Sequence, residues 1–138
     1  MAKTTDLLKM VPLFSDCSAK ELAQIAAASK SVKHKAGTVI AREGEPGIGL
    51  FVIVSGKAEV TIGGAARATL GPSDFFGEVA LLDGGPRTAT VTASNDMELI
   101  GITGWVFRGL MHEHPSIALK TLQAVAGRLR DATKTPTA

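Results

Sequence analysis

The segment Phe75-Phe76-Gly77-Glu78-Val79-Ala80-Leu81-Leu82-Asp83-Gly84-Gly85-Pro86-Arg87-Thr88-Ala89-Thr90-Val91 brings a glycine, a carboxylate and a guanidinium within one short stretch of chain. Gly77 lets the backbone come close to a ligand. Glu78 opens a short helical run whose free N–H groups favour an anion. Pro86 fixes a turn, and Arg87 follows it at the mouth of an apolar strand. An arginine entering such a strand needs an anionic partner, because an unpaired buried charge is costly. Glu78 adds an acceptor rather than a second cation, so the combination suits a phosphate ester that carries a hydroxyl, such as a sugar phosphate. Taken singly, the glycine is a turn and the Glu-Arg pair a salt bridge of small worth. The specificity lies in the ordered set within one loop-helix-loop-strand unit.

The elements that must position this unit fall into three parts. Residues 1–30 read as N-terminal helices, with Pro12-Leu13-Phe14 as a turn between a short first helix and a second one. Ser18-Ala19-Lys20-Glu21 has the form of a capping box, followed by Leu22, Ile25, Ala26 and Ser29 at helical spacing. Residues 31–102 read as short strands punctuated by glycine. Leu50 to Val54 is a β-rich apolar run, and Ala58, Val60 and Ile62 alternate with Lys57, Glu59 and Thr61. Gly63-Gly64 supplies a hairpin turn. Thr88 to Ala93 and Met97 to Ile102 read as two more strands, joined around Asn95-Asp96. Strands this short and frequent indicate an antiparallel roll or barrel.

Residues 103–133 read as two C-terminal helices, and 134–138 as a tail. Trp105, Val106, Phe107, Leu110 and Met111 form one apolar stretch in the first. Pro115 suits the first turn of the second helix, which is expected to run to about Asp131. Its stripe of Leu119, Leu122, Val125, Ala126 and Leu129 is expected to cover the roll or a bound base. Lys120, Arg128 and Arg130 are expected on a solvated face. Thr121, Ala124 and Gly127 are small enough to let a second helix approach, a route to a homodimer through this helix.

Composition bounds the function. At 138 residues the chain can build one core, and 45% hydrophobic with 20% charged residues is ordinary for a globular domain. A formal net charge of +2 is too small to argue for nucleic acid. No apolar run is long enough to span a bilayer, and Met1 to Asp6 lacks the apolar core of a secretion signal. Cys17 is alone and reads as a small apolar residue near a helix start. These features point to the cytoplasm and to no membrane association. His34, His112 and His114 lack metal-ligand spacing and read as surface or helix-capping histidines, and no serine or cysteine sits in a nucleophile motif. Neither catalysis nor a metal site is expected.

Phe76 to Leu82 and then Pro86 to Val91 resemble the phosphate-binding cassette (76–91) of cyclic-nucleotide-binding domains. These domains occur in the catabolite activator family, protein kinase A regulatory subunits and cyclic-nucleotide-gated channels. The resemblance extends through Gly37, Ile40, Glu43-Gly44, Phe51, Ile53, Gly56 and Val60, and covers the chain from about Leu13 to about Arg130. It implies an α+β, mainly β fold: an eight-stranded antiparallel jelly roll with N-terminal helices and two C-terminal helices. It also implies that Arg87 pairs with a cyclic phosphate and that Glu78 accepts the ribose 2′-hydroxyl. Backbone N–H groups near Val79 and Ala80 would complete the anion site, and Gly77 would permit the turn. Thr88 would reach the phosphate or the purine, and Val60 would wall the base. Thr133 falls where the catabolite activator has a serine that contacts adenine across a dimer, with Ala132 in place of a threonine.

The resemblance favours cAMP as ligand, with cGMP as the alternative, and no further cofactor. In the catabolite activator group a helix-turn-helix domain follows the last helix. Here five residues follow Thr133, so DNA binding by this chain alone is not expected. Two outputs remain: a regulatory sensor whose C-terminal helix couples binding to a protein partner or effector domain, or a binding module without conformational output.

Overall fold

The structure, a computed structural model, describes residues 4–15, 17–46, 49–77 and 85–133. Among these, α1 (Thr4–Lys9), a 3-10 turn (Pro12–Phe14) and α2 (Ala19–Ala28) precede eight strands. The strands are β1 (Lys30–His34), β2 (Val39–Ala41), β3 (Gly49–Ser55), β4 (Ala58–Ile62), β5 (Ala65–Leu70), β6 (Phe75–Phe76), β7 (Thr90–Ala93) and β8 (Met97–Thr103). Two helices follow, α3 (Gly104–Glu113) and α4 (Pro115–Thr133). The strands form two four-stranded antiparallel sheets, in the orders β1-β8-β3-β6 and β2-β7-β4-β5. This is the expected roll with helices at both ends. No helix among the described residues is long and apolar enough to cross a membrane.

Strand β3 shows why the roll closes as it does. Successive side chains on a strand point to opposite faces. Leu50 and Val52 join one core with Phe75, Ile100 and Ile102, against Leu8, Phe14, Ile25, Phe107 and Ile117 from the helical parts. Ile53 joins a second core with Phe76, Leu99 and Met97, facing Ala41, Ala58, Val91 and Ala93 of the other sheet. A strand buried on both faces must be apolar throughout, which is why Leu50 to Val54 does not alternate. Strand β4 covers one core only; the expected alternation holds from Ala58 to Val60 and breaks at a register shift before Thr61, so Ile62, expected inward, is 40% exposed and Thr61 is half-buried. Gly63 and Gly64 both have positive φ, +59° and +82°, as a tight two-residue hairpin between β4 and β5 requires. The β7–β8 turn is held by side chains: Asn95 Oδ1 accepts from the Lys57 N–H at 2.8 Å, and Asp96 Oδ1 from the Ala36 N–H at 3.0 Å.

Three further expectations are corrected. The apolar stripe on α4 does not cover the roll: Leu119, Leu122 and Leu129 are 57%, 58% and 63% exposed. Ile117 and Thr121 are buried instead, and Ala124 packs against the helical core. The smaller residues face inward because the helix lies close against the rest of the domain. The buried Thr121 hydroxyl donates to the Ile117 carbonyl at 2.8 Å, which satisfies it locally. Trp105 does not join the apolar stretch of α3 and is 88% exposed, whereas Phe107 and Leu110 are buried. Arg128 does not lie on a solvated face. It is half-buried, and its guanidinium packs over the Phe75 ring, 4.6 Å from the centroid.

The N-terminal helices are pinned to the C-terminal ones through the capping box. Glu21 accepts from the Ser18 N–H at 2.7 Å, and the Ser18 hydroxyl accepts from the Glu21 N–H at 3.1 Å. The second Glu21 oxygen pairs with His114 Nδ1, at the junction of α3 and α4. The Ser18 N–H, then the Ser18 hydroxyl and His114, hold the Glu21 carboxyl below its usual value of 4.5, against a smaller opposing desolvation. The folded state therefore binds fewer protons at Glu21 than the unfolded state. The resulting stabilisation is complete above the usual carboxylate range and is lost as pH falls below it, through the lowered folded value. Thermal melts should show the wild type losing more stability on acidification than Glu21→Gln, which keeps the cap but cannot titrate. Parallel curves for the two proteins would remove Glu21 from the acid response.

Candidate functional site

Arg87 enters the site on a short backbone pairing that the sequence does not advertise. Its N–H donates to the Glu45 carbonyl at 2.8 Å, its carbonyl accepts from the Gly44 N–H at 2.9 Å, and Pro46 bridges Pro86. The chain then bends at Thr88 and Ala89, so β7 begins at Thr90 rather than at Thr88. The Thr90 hydroxyl accepts from the Glu43 N–H at 3.1 Å, and Glu43 Oε1 accepts from the Gly63 N–H at 2.8 Å. The loop before β3 therefore clamps the chain leading out of the cassette and the tip of the β4–β5 hairpin together.

The side chain of Arg87 is 9% exposed. Nη1 donates to the Gly49 carbonyl at 3.2 Å, and the guanidinium carbon lies 5.7 Å from the centroid of the Phe51 ring. Phe51 stacks on Phe76 at 5.3 Å with 26° between the planes. A guanidinium carries five N–H donors in a fixed planar fork, which suits it to several acceptors at once. Gly77 meets the same point. Its φ is +96°, and a Cβ there would stand 2.5 Å from the Gly49 carbonyl oxygen and 2.6 Å from Arg87 Nη1. Only glycine fits this backbone and this approach. The structure thus brings Gly77 and Arg87 together.

The other expected site residues divide. Thr88 is exposed at the bend next to Arg87. Val60 is half-buried in β4, opposite Val91 and Ala68, and packs on the core between the sheets. Glu78, Val79 and Ala80 lie outside the described residues, as do Leu81, Leu82 and the tail 134–138. Thr133 is the last residue of α4. Sequence reasoning gave no role to the carbonyl of Gly49, to the ring of Phe51 or to the 43–46 loop. Glu43, Gly44 and Phe51 stood in the motif, but their contacts to Arg87 and its neighbours span tens of residues.

The family profile described as the cyclic nucleotide-binding domain matches residues 31–114. A cyclic nucleotide-gated potassium channel of Mesorhizobium japonicum is 38% identical over 112 residues, covering 81% of this chain and 31% of the channel. A CRP-like cAMP-activated global transcriptional regulator of Mycobacterium tuberculosis is 30% identical over 132 residues, covering 91% of this chain and 58% of the regulator. Among solved structures, the regulatory domain of Toxoplasma gondii PKA crystallised with cAMP superposes with a TM-score of 0.72 at 32% identity, covering 78% of this chain and 42% of that one. The chain therefore spans under a third of the channel and somewhat over half of the regulator. With the two-sheet roll and the Gly77–Arg87 corner, these matches show that the chain belongs to the cyclic nucleotide-binding domain family.

Proposed function

We propose that this chain is a cytoplasmic, non-enzymatic regulatory module that binds cAMP, with cGMP as the alternative, and passes the binding event to a partner through α4. The observation that carries the reading is the buried Arg87 guanidinium held against Gly49 and Gly77. A guanidinium fork suits two oxygens of a cyclic phosphate. In this reading the N–H groups of Val79 and Ala80 complete the anion site, and Glu78 accepts the ribose 2′-hydroxyl. Thr88 reaches the phosphate or base from the mouth, and Val60 lies under the base.

The partner reading draws on α4. Leu119, Leu122, Ala126 and Leu129 recur at three- and four-residue intervals on an exposed face of a 19-residue helix. That is the spacing of a two-helix seam, which suits a second copy of this chain. Thr133, at the end of the same helix, would then approach the neighbouring site. An effector domain in a longer chain is the other occupant. The relatives include a channel and a transcriptional regulator, of which this chain covers only part.

Hydrogen exchange and molar mass, each measured with and without cAMP, test the sensor. The expected result is slower exchange in residues 77–87 and in the last two turns before Thr133, with a change in mass or shape. Protection confined to 77–87, at unchanged mass, would leave a binding module and remove the sensor.

A further inference from the structure

We propose that Glu43 is a positioning residue for the base end of the nucleotide site, acting through the β4–β5 hairpin; this rests on the reading of Val60 as the surface under the base. The β4–β7 ladder runs from Ala58↔Ala93 to Thr61↔Thr90 and ends there. Residues 62–65, which carry the hairpin turn, lie beyond it. The β4–β5 pairing itself shifts register between Val60 and Thr61, so that ladder is disrupted where the overhang begins. Val60 sits at the break, opposite Val91 on one side and Ala68 on the other. Packing at the turn is open: a Cβ on Gly63 or Gly64 would meet nothing within 4 Å. The hairpin tip therefore depends on hydrogen bonds for its placement.

Glu43 spans the gap with its backbone and its side chain together. Strand β2 pairs with β7 as far as Ala41↔Val91, and Glu43 follows two residues later. Its N–H donates to the Thr90 hydroxyl at 3.1 Å, at the last rung of the β4–β7 ladder. Its Oε1 accepts from the Gly63 N–H at 2.8 Å, at the hairpin tip. A hydrogen bond to an ionised acceptor is roughly twice as strong as a neutral one. The next two residues fix the other side of the loop. The Gly44 N–H donates to the Arg87 carbonyl at 2.9 Å, and the Glu45 carbonyl accepts from the Arg87 N–H at 2.8 Å. Gly44 has φ +80°, which lets the chain turn between these contacts. Glu43 is thus anchored beside the arginine assigned to the phosphate while it holds the hairpin assigned to the base. A nucleotide carries its base at a set reach from its phosphate, so the two ends of the site must keep one spacing. Glu43 sets that spacing without a contact of its own to the nucleotide.

The test is calorimetry with cAMP and with cGMP on the full chain as wild type, Glu43→Ala, Glu43→Gln and Val60→Ala. Glu43→Ala should weaken cAMP about threefold to tenfold, the size expected when one hydrogen bond is lost. It should also change the ratio of cAMP to cGMP affinity by about threefold or more, because a displaced wall meets the two bases differently. Val60→Ala, which alters the wall directly, should move the ratio as well. Glu43→Gln keeps an acceptor oxygen for Gly63 and should lose less than Glu43→Ala. The Gly63 amide, followed by NMR without nucleotide, should exchange faster in Glu43→Ala than in Glu43→Gln. Thr90→Val removes the other end of the strap. It should shift the ratio as Glu43→Ala does, and carries the test if the alanine variant does not fold. A loss shared equally by both nucleotides in Glu43→Ala, with the ratio moved in Val60→Ala, would overturn the proposal and leave the base reading standing. An unmoved ratio in Val60→Ala would remove the base reading, and this proposal with it. A wild type that binds neither nucleotide would overturn the phosphate reading as well.

Discussion

Replacing Arg87 with alanine should remove tight cyclic-nucleotide binding and leave the fold standing. The backbone at Arg87 is held by Glu45 and Gly44, which the substitution does not touch. What is lost is a buried guanidinium at the junction of Gly49, Gly77 and the Phe51 ring. Loss of a desolvated, charge-assisted contact to an anion costs roughly 2–5 kcal/mol, which is about 30-fold to several thousand-fold in affinity. Calorimetry should show this as loss of measurable heat at concentrations that saturate the wild type, with a circular dichroism spectrum unchanged. Unaltered affinity would mean that the anion binds elsewhere.

Gly77→Ala should disable the same corner by a different route. A Cβ at φ +96° is strained, at a cost of order 1–3 kcal/mol. It would also stand 2.5 Å from the Gly49 carbonyl oxygen and 2.6 Å from Arg87 Nη1. Backbone cannot move aside as a flexible side chain can, so the guanidinium must leave Gly49. The expected result is a lower melting temperature together with an affinity loss of about tenfold or more, as a strain of that size implies when it falls on the binding corner. Gly109→Ala serves as the contrast. That position in α3 meets open space, and alanine is the better helix former by about 1 kcal/mol. Equal behaviour of the two variants would show that Gly77 is an ordinary turn glycine.

Much of this architecture was legible in the sequence because its causes are local. The capping box at Ser18 and Glu21 and the Gly63-Gly64 hairpin each depend on residues a few positions apart, and each forms as expected; the alternation of β4 holds to Val60 and is lost where its pairing with β5 shifts register. Gly77 and Arg87 were each singled out through a motif that spans a single loop, but their contact with one another was not foreseen. The docked face of α4 was not. Both of its faces carry apolar or small residues, and hydrophobicity alone favours the leucines. Burial went to Ile117, Thr121 and Ala124, the face that meets the helical core, and the leucines were left outside. Arg128 was misplaced for the same reason. Its partner Phe75 is 53 residues away, and no periodicity within the helix refers to it. The hold of Gly49 on Arg87 spans 38 residues and is equally invisible to local pattern.

The central claim is that the corner formed by Gly77, Gly49 and Arg87 receives the phosphate of a cyclic nucleotide. Calorimetric titration of the unmodified chain with cAMP and, separately, with cGMP tests it most directly. The account predicts saturable binding at one site per chain, tighter for cAMP, with both ligands lost on Arg87→Ala. Tighter cGMP binding would reverse the choice of ligand while keeping the site. Absence of saturable heat with either nucleotide, from a chain that melts cooperatively, would contradict the account.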